Sequence, residues 1–379
     1  MDVSLHSSLP EWNHAIRINL LPDTIILGIY LFVGVLGNVA VILVYLIRMR
    51  GQMDDRYFIP WLALFDLLAT VFIAINKIVA NMYPVTHDNE ILCRLSNFMS
   101  RTSAASADGL LVAISIQRFQ RICRPFGIQM KDIHKRYILV FVMICAVVLN
   151  LPVFIFYGIH RFENGNITGC SCDHVHGGAA FERLMLSYDI LVFLLLFICM
   201  VSMSVLYFLI SRKIKSNRIV KRLNTKRRNM SGLADDSTEN GCSENITSEM
   251  TAENGMERMQ TDVKKSIRDL TNQERKSSTR IKRKQSTTEQ IRTHLSANRY
   301  TYMFMALSMS FIISYFPSNI LKMVEISMPN MWMQMDPAVC NLFLFFRQFY
   351  ILNHVTNPYI YSAFDTSFRQ ELKKMLRII

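Results

Sequence analysis

The run IILGIYLFVGVLGNVAVILVYLI at residues 25–47 contains no charged residue. A helix needs about 20 apolar residues to cross the roughly 30 Å of hydrocarbon in a bilayer, so this run predicts a membrane span. Six further apolar runs follow, and the chain is therefore predicted to cross a membrane seven times. We number these runs span one to span seven, and they cover residues 25–47, 57–80, 98–122, 137–158, 188–210, 300–323 and 339–364.

The composition supports a membrane protein. Of the 379 residues, 51% are hydrophobic and 19% are charged, whereas soluble domains contain about 25% charged residues. The net charge is +13, but 21 of the 42 Lys and Arg residues lie between positions 212 and 299. Because half of the positive charge lies in one polar insertion between spans, the sequence does not favour a nucleic-acid-binding protein.

Span three is the most polar of the seven runs. Such a helix is stable in a membrane only where neighbouring helices satisfy its polar groups, so the fold class predicted is an all-α bundle of seven transmembrane helices. The polar residues that interrupt the run are Ser96, Ser100, Arg101, Thr102, Ser103, Ser106 and Asp108.

The orientation follows from the short loops, because Lys and Arg accumulate on the cytoplasmic side. The loops after spans one and three are rich in these residues, whereas residues 324–338 contain none. We therefore expect residues 1–24 to be extracellular, 25–364 to form the membrane domain and 365–379 to be cytoplasmic. Asn166 begins an Asn-Ile-Thr glycosylation sequence after span four, which fits an extracellular loop.

Polar and small residues within the spans indicate the class of membrane protein. In their order and in their positions within the spans, they resemble the rhodopsin-like (class A) family of G-protein-coupled receptors across the membrane part. The stretch from Arg118 to Phe126 is also similar to that of cholecystokinin- and orexin-type peptide receptors. The residues that carry the family resemblance are Gly37, Asn38, Val41, Leu62, Ala63, Asp66, Arg118, Pro317, Asn357, Pro358 and Tyr361.

The resemblance implies a plasma-membrane receptor that binds an extracellular ligand, with a neuropeptide favoured, and activates a heterotrimeric G protein. It implies neither an enzyme nor a cofactor. Asn38, Asp66 and Asn357 would form a polar centre, and Arg118 would contact the G protein. The remaining groups implied in activation are Tyr207, Tyr315 and Tyr361, with kinks at Pro317 and Pro358.

The resemblance also implies a disulfide between Cys93 and either Cys170 or Cys172, which would tie the loop after span four over the helical mouth. Alternate residues from Cys170 to His176 are possible zinc ligands on one face of a strand. A loop hairpin gives such a site no rigid support, so solvated histidines are favoured and no metal site is predicted.

Several positions depart from the family pattern. Gln117 replaces the acid that usually precedes Arg118, and Tyr315 replaces a tryptophan. These two departures keep a scavenging or arrestin-only receptor as an alternative. Ala107 and His354 replace hydroxyl groups that usually help to hold sodium, so no sodium site is predicted.

The ligand class is predicted from the outer halves of the spans. Ile351 lies where opsins carry the retinal lysine, and Ser100 lies where amine receptors carry an aspartate. A mouth rich in cations remains, suited to a carboxylate, a sulfate or an amidated peptide end. The candidate ligand residues are Lys77, Arg101, Lys322, Glu325 and Arg347, with Asp189 nearby.

Other interpretations of this mouth stay open. Each cation could instead extend to the membrane interface or pair with Asp189 or Glu325. The ligand could also be a small anionic metabolite or a lipid. A transporter is disfavoured, because the chain has no convincing internal repeat.

The polar insertion at residues 211–293 is predicted to be a largely disordered cytoplasmic loop, since it has few aromatic residues to bury. Its basic ends, 212–228 and 275–299, are predicted to extend spans five and six as helices. Serine and threonine residues at 277–286 lie in a basic context suited to kinases, so receptor kinases and arrestin are possible partners. The pattern after Tyr361 predicts an amphipathic helix on the inner membrane lipids.

Overall fold

The computed structural model of the chain describes residues 8–49, 56–164, 167–235, 299, 301–325, 328 and 335–377. It contains two compact units, one formed by residues 1–211 and 301–379 and the other by residues 212–300. In the second unit, residues 212–235 are helical and include the predicted extension of span five. The predicted glycosylation site Asn166, the kinase sites at 277–286 and most of the predicted disordered loop lie outside the described residues.

The structure is helical at each of the seven predicted spans. A short helix, Leu9–Asn19, precedes span one, and a further helix, Thr366–Leu376, follows span seven. Two antiparallel strands, Tyr157–Asn164 and Ile167–His174, form a hairpin after span four. The spans are Leu21–Leu43 continued by the π-helical turn Val44–Arg48, Phe58–Met82, Glu90–Cys123, Asp132–Asn150 followed by Val153–Phe156, Ala179–Asp235, Thr301–Glu325, and Pro337–Arg347 with Ile351–Phe364.

The helix starts agree with simple capping chemistry. The side chain of Asn89 accepts a hydrogen bond from the backbone N–H of Leu92 at 2.9 Å, which caps span three. Asp336 accepts one from Ala338 at 2.9 Å and so caps the first half of span seven. These side chains satisfy backbone donors that have no partner within the first helical turn.

Span three tolerates its polar residues by satisfying them locally. Among the residues that the structure describes, five helices are long and apolar enough to span a membrane by composition, and span three is not one of them. Its serine hydroxyls donate to carbonyls one turn earlier, with Ser100 bonded to Ser96 at 2.7 Å and Ser103 bonded to Met99 at 2.7 Å. Ser100 and Ser103 are also buried among the neighbouring helices, as expected for a polar span inside a bundle.

Span seven differs from the single helix predicted over residues 339–364. It is broken at residues 348–350, where Ile351 N–H bonds to the carbonyl of Gln348 at 3.0 Å in a tight turn. The hydroxyl of Ser318 donates to the carbonyl of Arg347 at 2.6 Å. A neighbouring helix therefore satisfies a carbonyl that the break would otherwise leave without a partner.

The start of span one also differs from the prediction. The predicted extracellular segment 1–24 contains a helix, and span one begins at Leu21, so that Asp23 lies within the span and is 2% exposed. Asn81 donates to Asp23 at 2.7 Å, and Gln348 donates to it at 3.1 Å. Two amide donors from spans two and seven thus hold this carboxylate inside the bundle.

The hairpin is attached to span three by a disulfide between Cys93 and Cys172, whose Cα atoms are 5.5 Å apart. Cys170 is a free thiol in the same strand. It lies against the loop after span two, where its backbone N–H donates to the carbonyl of Val85 at 2.8 Å. Because residues two apart in a strand are separated by about 6.6 Å, only one of the two cysteines can be within bonding range of Cys93.

We predict that Cys172→Ser lowers the free energy of unfolding by about 3 kcal/mol, since the constraint on the unfolded chain is lost. Cys170→Ser, the matched control two residues away, should leave stability nearly unchanged. Thermal unfolding of the purified protein and a non-reducing peptide map would measure both effects. Equal losses in the two variants would contradict the pairing.

Candidate functional site

The polar centre predicted from the sequence lies between spans one, two and seven. Asn357 Nδ2 donates to Asp66 Oδ2 at 2.6 Å, and His354 Nδ1 lies 2.8 Å from Asp66 Oδ1. Asn38 Nδ2 donates to the backbone carbonyls of Gly34 and His354, each at 3.0 Å. Asp66, Asn38, Asn357 and His354 are fully buried. The structure therefore brings the three predicted residues together and adds His354 as a second partner of the carboxylate.

Two glycines of span one allow its close approach to this centre. A Cβ atom added at Gly37 would lie 2.9 Å from Pro358 Cγ, and one added at Gly34 would lie 2.7 Å from Thr70 Cγ2. Both distances are too short for a side chain without local movement. Gly37 is therefore needed beside Asn38 because Pro358 packs directly against the backbone of span one.

A second buried carboxylate, Asp108 of span three, was missed as a site residue and noted only as a polar interruption. The Tyr315 hydroxyl donates to Asp108 Oδ2 at 2.6 Å, and Asn353 Nδ2 donates to Asp108 Oδ1 at 3.3 Å. Asp108 is 5% exposed, and a buried carboxylate in a span is itself a signal of function. Tyr315 lies two residues before Pro317, so this contact ties span six to span three beside the proline.

At the opposite end of span three from the hairpin, Arg118 is 4% exposed and its guanidinium lies 4.2 Å from the ring centroid of Phe304. One turn earlier, the Ser115 hydroxyl donates to the Tyr207 hydroxyl at 3.3 Å. Tyr361 is fully buried, and its ring packs edge-on against Phe368 at 6.5 Å. Tyr207 of span five thus contacts span three one turn before Arg118, whereas Tyr361 contacts the helix after span seven.

An ion pair near this end was also missed. Arg56, which the sequence counted among the loop cations, is buried and lies 3.2 Å from Asp365. The Tyr45 hydroxyl donates to the same carboxylate at 3.3 Å. Asp365 also accepts from the backbone N–H of Ser367 and Phe368, so it caps the helix Thr366–Leu376. Residues about 310 positions apart form the pair, and no local pattern signals it.

A cavity of about 840 Å³ lies at the hairpin end of the bundle. The side chains lining it come from spans two to seven and from the hairpin, and they include Asp108 and Tyr315. Asp108 follows Arg101 by two helical turns, or about 10 Å of helix, so the cavity reaches deep into the bundle. All five predicted ligand residues line it, namely Lys77, Arg101, Lys322, Glu325 and Arg347.

The sequence left open whether each cation pairs with Asp189 or Glu325, and the structure shows that two of them do. Lys322 Nζ lies 3.0 Å from Asp189 Oδ1, and Arg347 Nε lies 3.1 Å from Glu325 Oε2. Two of the four predicted cations therefore form ion pairs within the protein. Arg101 differs, because its guanidinium donates to a tyrosine hydroxyl.

The tyrosine that Arg101 contacts is Tyr157, the first residue of the hairpin. Its hydroxyl accepts from Arg101 and also contacts His174 Nε2 on the opposite strand. Burial raises the pKa of Tyr157 to about 12, so the phenol keeps its proton and donates it to His174. This arrangement requires a neutral His174, with its proton on Nδ1.

The groups around His174 shift its pKa in opposite directions. Burial lowers the pKa of His174 below its ordinary value of 6.5, which is the largest effect. Asp173 and Asp189 oppose this shift, whereas Arg101 and Lys322 add to it. The hydrogen bond that joins the two strands of the hairpin beside Arg101 therefore depends on an unprotonated imidazole.

We predict that acidification from about pH 7 to about pH 5 lowers the stability of this end of the protein. Because the folded state lowers the pKa of His174, the unfolded chain binds more protons below pH 6.5, so stability falls as pH decreases through that window. Thermal unfolding as a function of pH would measure the loss. His174→Gln keeps an acceptor without titration and should reduce the slope, and an unchanged slope would contradict the role of His174.

Sequence comparison shows that the chain is similar to known receptors. The chain is 24% identical over 219 residues to the mesotocin receptor of Rhinella marina, a match covering 54% of the chain and 53% of that protein. It is 24% identical over 200 residues to the cholecystokinin receptor of Xenopus laevis, covering 52% of the chain and 44% of that receptor.

A third relative is the tachykinin-like peptides receptor 86C of Drosophila melanogaster, 25% identical over 203 residues, covering 52% of the chain and 40% of that protein. The chain thus spans about half the length or less of these curated relatives. The family model described as 7 transmembrane receptor (rhodopsin family) matches residues 37–361. This match covers most of the chain and includes at least part of each of the seven spans, and the protein therefore belongs to the rhodopsin family of seven-transmembrane receptors.

Proposed function

We propose that this protein is a plasma-membrane receptor that binds an extracellular peptide in the hairpin-end cavity and activates a heterotrimeric G protein at the Arg118 end. The observation that carries the proposal is the contact between Tyr315 and Asp108, because both residues line the cavity and Tyr315 lies beside Pro317. A ligand in the cavity can thus act directly on the helix that carries the kink.

The orientation is part of the same proposal, with the hairpin outside and the helix Thr366–Leu376 inside. The disulfide between Cys93 and Cys172 favours an oxidising, extracellular environment at the hairpin end. Arg48 and Arg56 lie at the other end of the bundle, where cationic loops face the cytoplasm and the anionic inner leaflet.

The proposed mechanism is a shift between two packings of the bundle. Asn353 bonds to Asp108, and the next residue, His354, contacts Asp66 in the polar centre. A ligand that binds more tightly when Tyr315 has left Asp108 would favour a second packing of spans six and seven. Pro317 would provide the position at which span six bends.

The Arg118 end supports the assignment of the described packing as the inactive one. Arg118 is 4% exposed and Tyr361 is fully buried. Neither side chain can contact another protein until the helices around it separate. We propose that this separation exposes Arg118 to the G protein, with Tyr207 and Tyr361 rearranging beside it.

A peptide fits the cavity better than an amine or retinal. Ser100 offers no carboxylate for an ammonium group, and Ile351 offers no amine for an aldehyde. The cavity of about 840 Å³ has both cationic and acidic side chains in its wall. The relatives named above are receptors for mesotocin, cholecystokinin and tachykinin-like peptides, which supports a peptide ligand for this chain also.

The direct test is a peptide library applied to cells that carry calcium and cAMP reporters, followed by GTP exchange on purified receptor and G protein. A peptide that drives exchange would support the proposal. Peptide uptake or arrestin recruitment without exchange would instead indicate a scavenging or arrestin-only receptor. Activation by a small anionic metabolite or lipid would correct the ligand class, and receptor kinases would be tested on the activated state.

We predict that Tyr315→Phe raises ligand-independent GTP exchange about tenfold. The substitution removes a hydrogen bond to a buried carboxylate, about 1.5 kcal/mol of stabilisation of the inactive packing, and this energy is about a tenfold shift between two packings. The measurement is nucleotide exchange at equal receptor surface density.

Tyr350→Phe is the matched control, since the Tyr350 ring lies 5.9 Å from that of Tyr315 and the variant keeps the bond between Tyr315 and Asp108. This control should exchange nucleotide at the rate of the unmodified receptor. Exchange in Tyr315→Phe that is equal to or lower than that of the control would show that the hydrogen bond does not hold the inactive packing.

A further inference from the structure

The wall of the cavity carries equal numbers of acidic side chains and of Lys and Arg side chains, but they are not all paired. Two of the acids neutralise two of the cations, in the ion pairs Lys322 with Asp189 and Arg347 with Glu325. Two cations and two acids remain. The full set is Lys77, Arg101, Lys322 and Arg347 on the positive side and Asp108, Asp173, Asp189 and Glu325 on the negative side.

In the part of the chain that the structure describes, the two remaining acids form no ion pair with the two remaining cations. Asp108 lies two helical turns, about 10 Å, from Arg101 along span three and accepts hydrogen bonds from Tyr315 and Asn353. Asp173 is exposed and accepts from the backbone N–H of His174 at 2.7 Å. Both carboxylates are thus satisfied by neutral donors.

Lys77 and Arg101 are therefore left as unpaired charges in a partly buried wall. Within the described ranges, neither has a carboxylate within 4.0 Å. Arg101 has the Tyr157 hydroxyl as its partner and lies 4.7 Å from the centroid of that ring. A neutral hydroxyl does not offset the cost of removing a guanidinium from water, so the site is electrostatically incomplete.

The two cations belong to the same corner of the cavity. Span two contacts span three one helical turn before Arg101. There, Asn76 Nδ2 donates to Asn97 Oδ1 at 3.3 Å, and the Ser96 hydroxyl donates to Asn76 Oδ1 at 2.9 Å. Lys77 follows Asn76 directly, and Arg101 follows Asn97 by one helical turn. Adjacent spans therefore present a Lys and an Arg to one region of the wall, beside the hairpin.

We propose that Lys77 and Arg101 form a subsite for an anionic group of the ligand, a carboxylate or a sulfate, with the Tyr157 hydroxyl alongside. This inference rests on the proposed function, because it assigns the chemistry of the ligand in the same cavity. An oxyanion has the geometry to accept two hydrogen bonds from a guanidinium while a lysine neutralises it from the side. Lys322 and Arg347 are then neutralised by their own ion pairs and are not used for charge recognition.

The test measures binding without signalling. Purified full-length receptor is titrated with N-acetyl-phenylalanine, with its uncharged primary amide and with N-acetyl-tyrosinamide O-sulfate, whose only charge is the sulfate, and the thermal unfolding midpoint is recorded. Ligands that bind the folded state raise this midpoint. We expect the carboxylate, the sulfate or both to bind at least about tenfold more tightly than the amide, the factor typical of one charge-assisted contact. The better of the two acids identifies the anionic group.

The variants Lys77→Gln and Arg101→Gln should reduce this preference for an acid to about equal binding of acid and amide. Arg183→Gln is the matched control, since Arg183 is exposed at the start of span five and outside the cavity wall. This control should keep the preference. If either glutamine variant does not fold, Lys77→Arg keeps the charge and should keep the preference, whereas Arg101→Lys keeps the charge but loses the two-bond geometry and should weaken the preference. Equal preference in Arg101→Lys and the unmodified receptor would contradict the role of the Arg101 guanidinium.

The outcomes separate this inference from the proposed function. Equal binding of acids and amide by the unmodified receptor, or no binding of any of them, would overturn the anionic subsite even if a peptide activates the receptor. A preference for an acid that survives in both glutamine variants would also overturn it. Preferential binding of an acid that depends on Lys77 and Arg101 would support the subsite even if no peptide drives GTP exchange.

Discussion

Polar side chains inside the seven spans must find partners within the protein, because the hydrocarbon of a bilayer provides none. Asp66 shows the constraint most directly, since it is fully buried and contacts Asn357 at 2.6 Å and His354 at 2.8 Å. Asn38 adds span one to the same cluster through the backbone of His354. Removing any one member would leave a buried polar atom without a partner, so the cluster fixes how three helices pack.

The same constraint connects the cavity with the interior. Asn353 and His354 are consecutive residues of span seven, yet they bond to different carboxylates, Asp108 of span three and Asp66 of span two. Tyr315 adds span six by its bond to Asp108. The residue that contacts Asp108 in the cavity wall, Asn353, is therefore the chain neighbour of a residue in the polar centre, His354. Spans two, three, six and seven form one hydrogen-bonded unit, and the hairpin-end cavity opens onto it.

The sequence predicted the parts of this structure that depend on chain composition. The seven spans follow from apolar length, and the polar centre followed from Asp66 and Asn357 in their family positions. The break in span seven was not predicted, because the turn at Gln348 depends on Asp23 and Ser318 in other helices. The same reason applies to the choice of Cys172 over Cys170. Local sequence patterns predict helices and strands, whereas contacts between side chains distant in sequence depend on how the helices pack.

The ion pairs in the cavity wall also could not be predicted from the sequence. The sequence identifies four cations in the outer spans, but it cannot distinguish Lys322 and Arg347, which form ion pairs, from Lys77 and Arg101, which have no carboxylate partner among the described residues. Asp189 and Glu325 can be assigned to any of the four until the helices are placed. An unpaired cation is tolerable in a span only where a cavity admits water. In the proposed subsite, a ligand that displaces water from Lys77 and Arg101 would supply the negative charge itself, so these two residues, and not the total charge of the wall, would select the ligand.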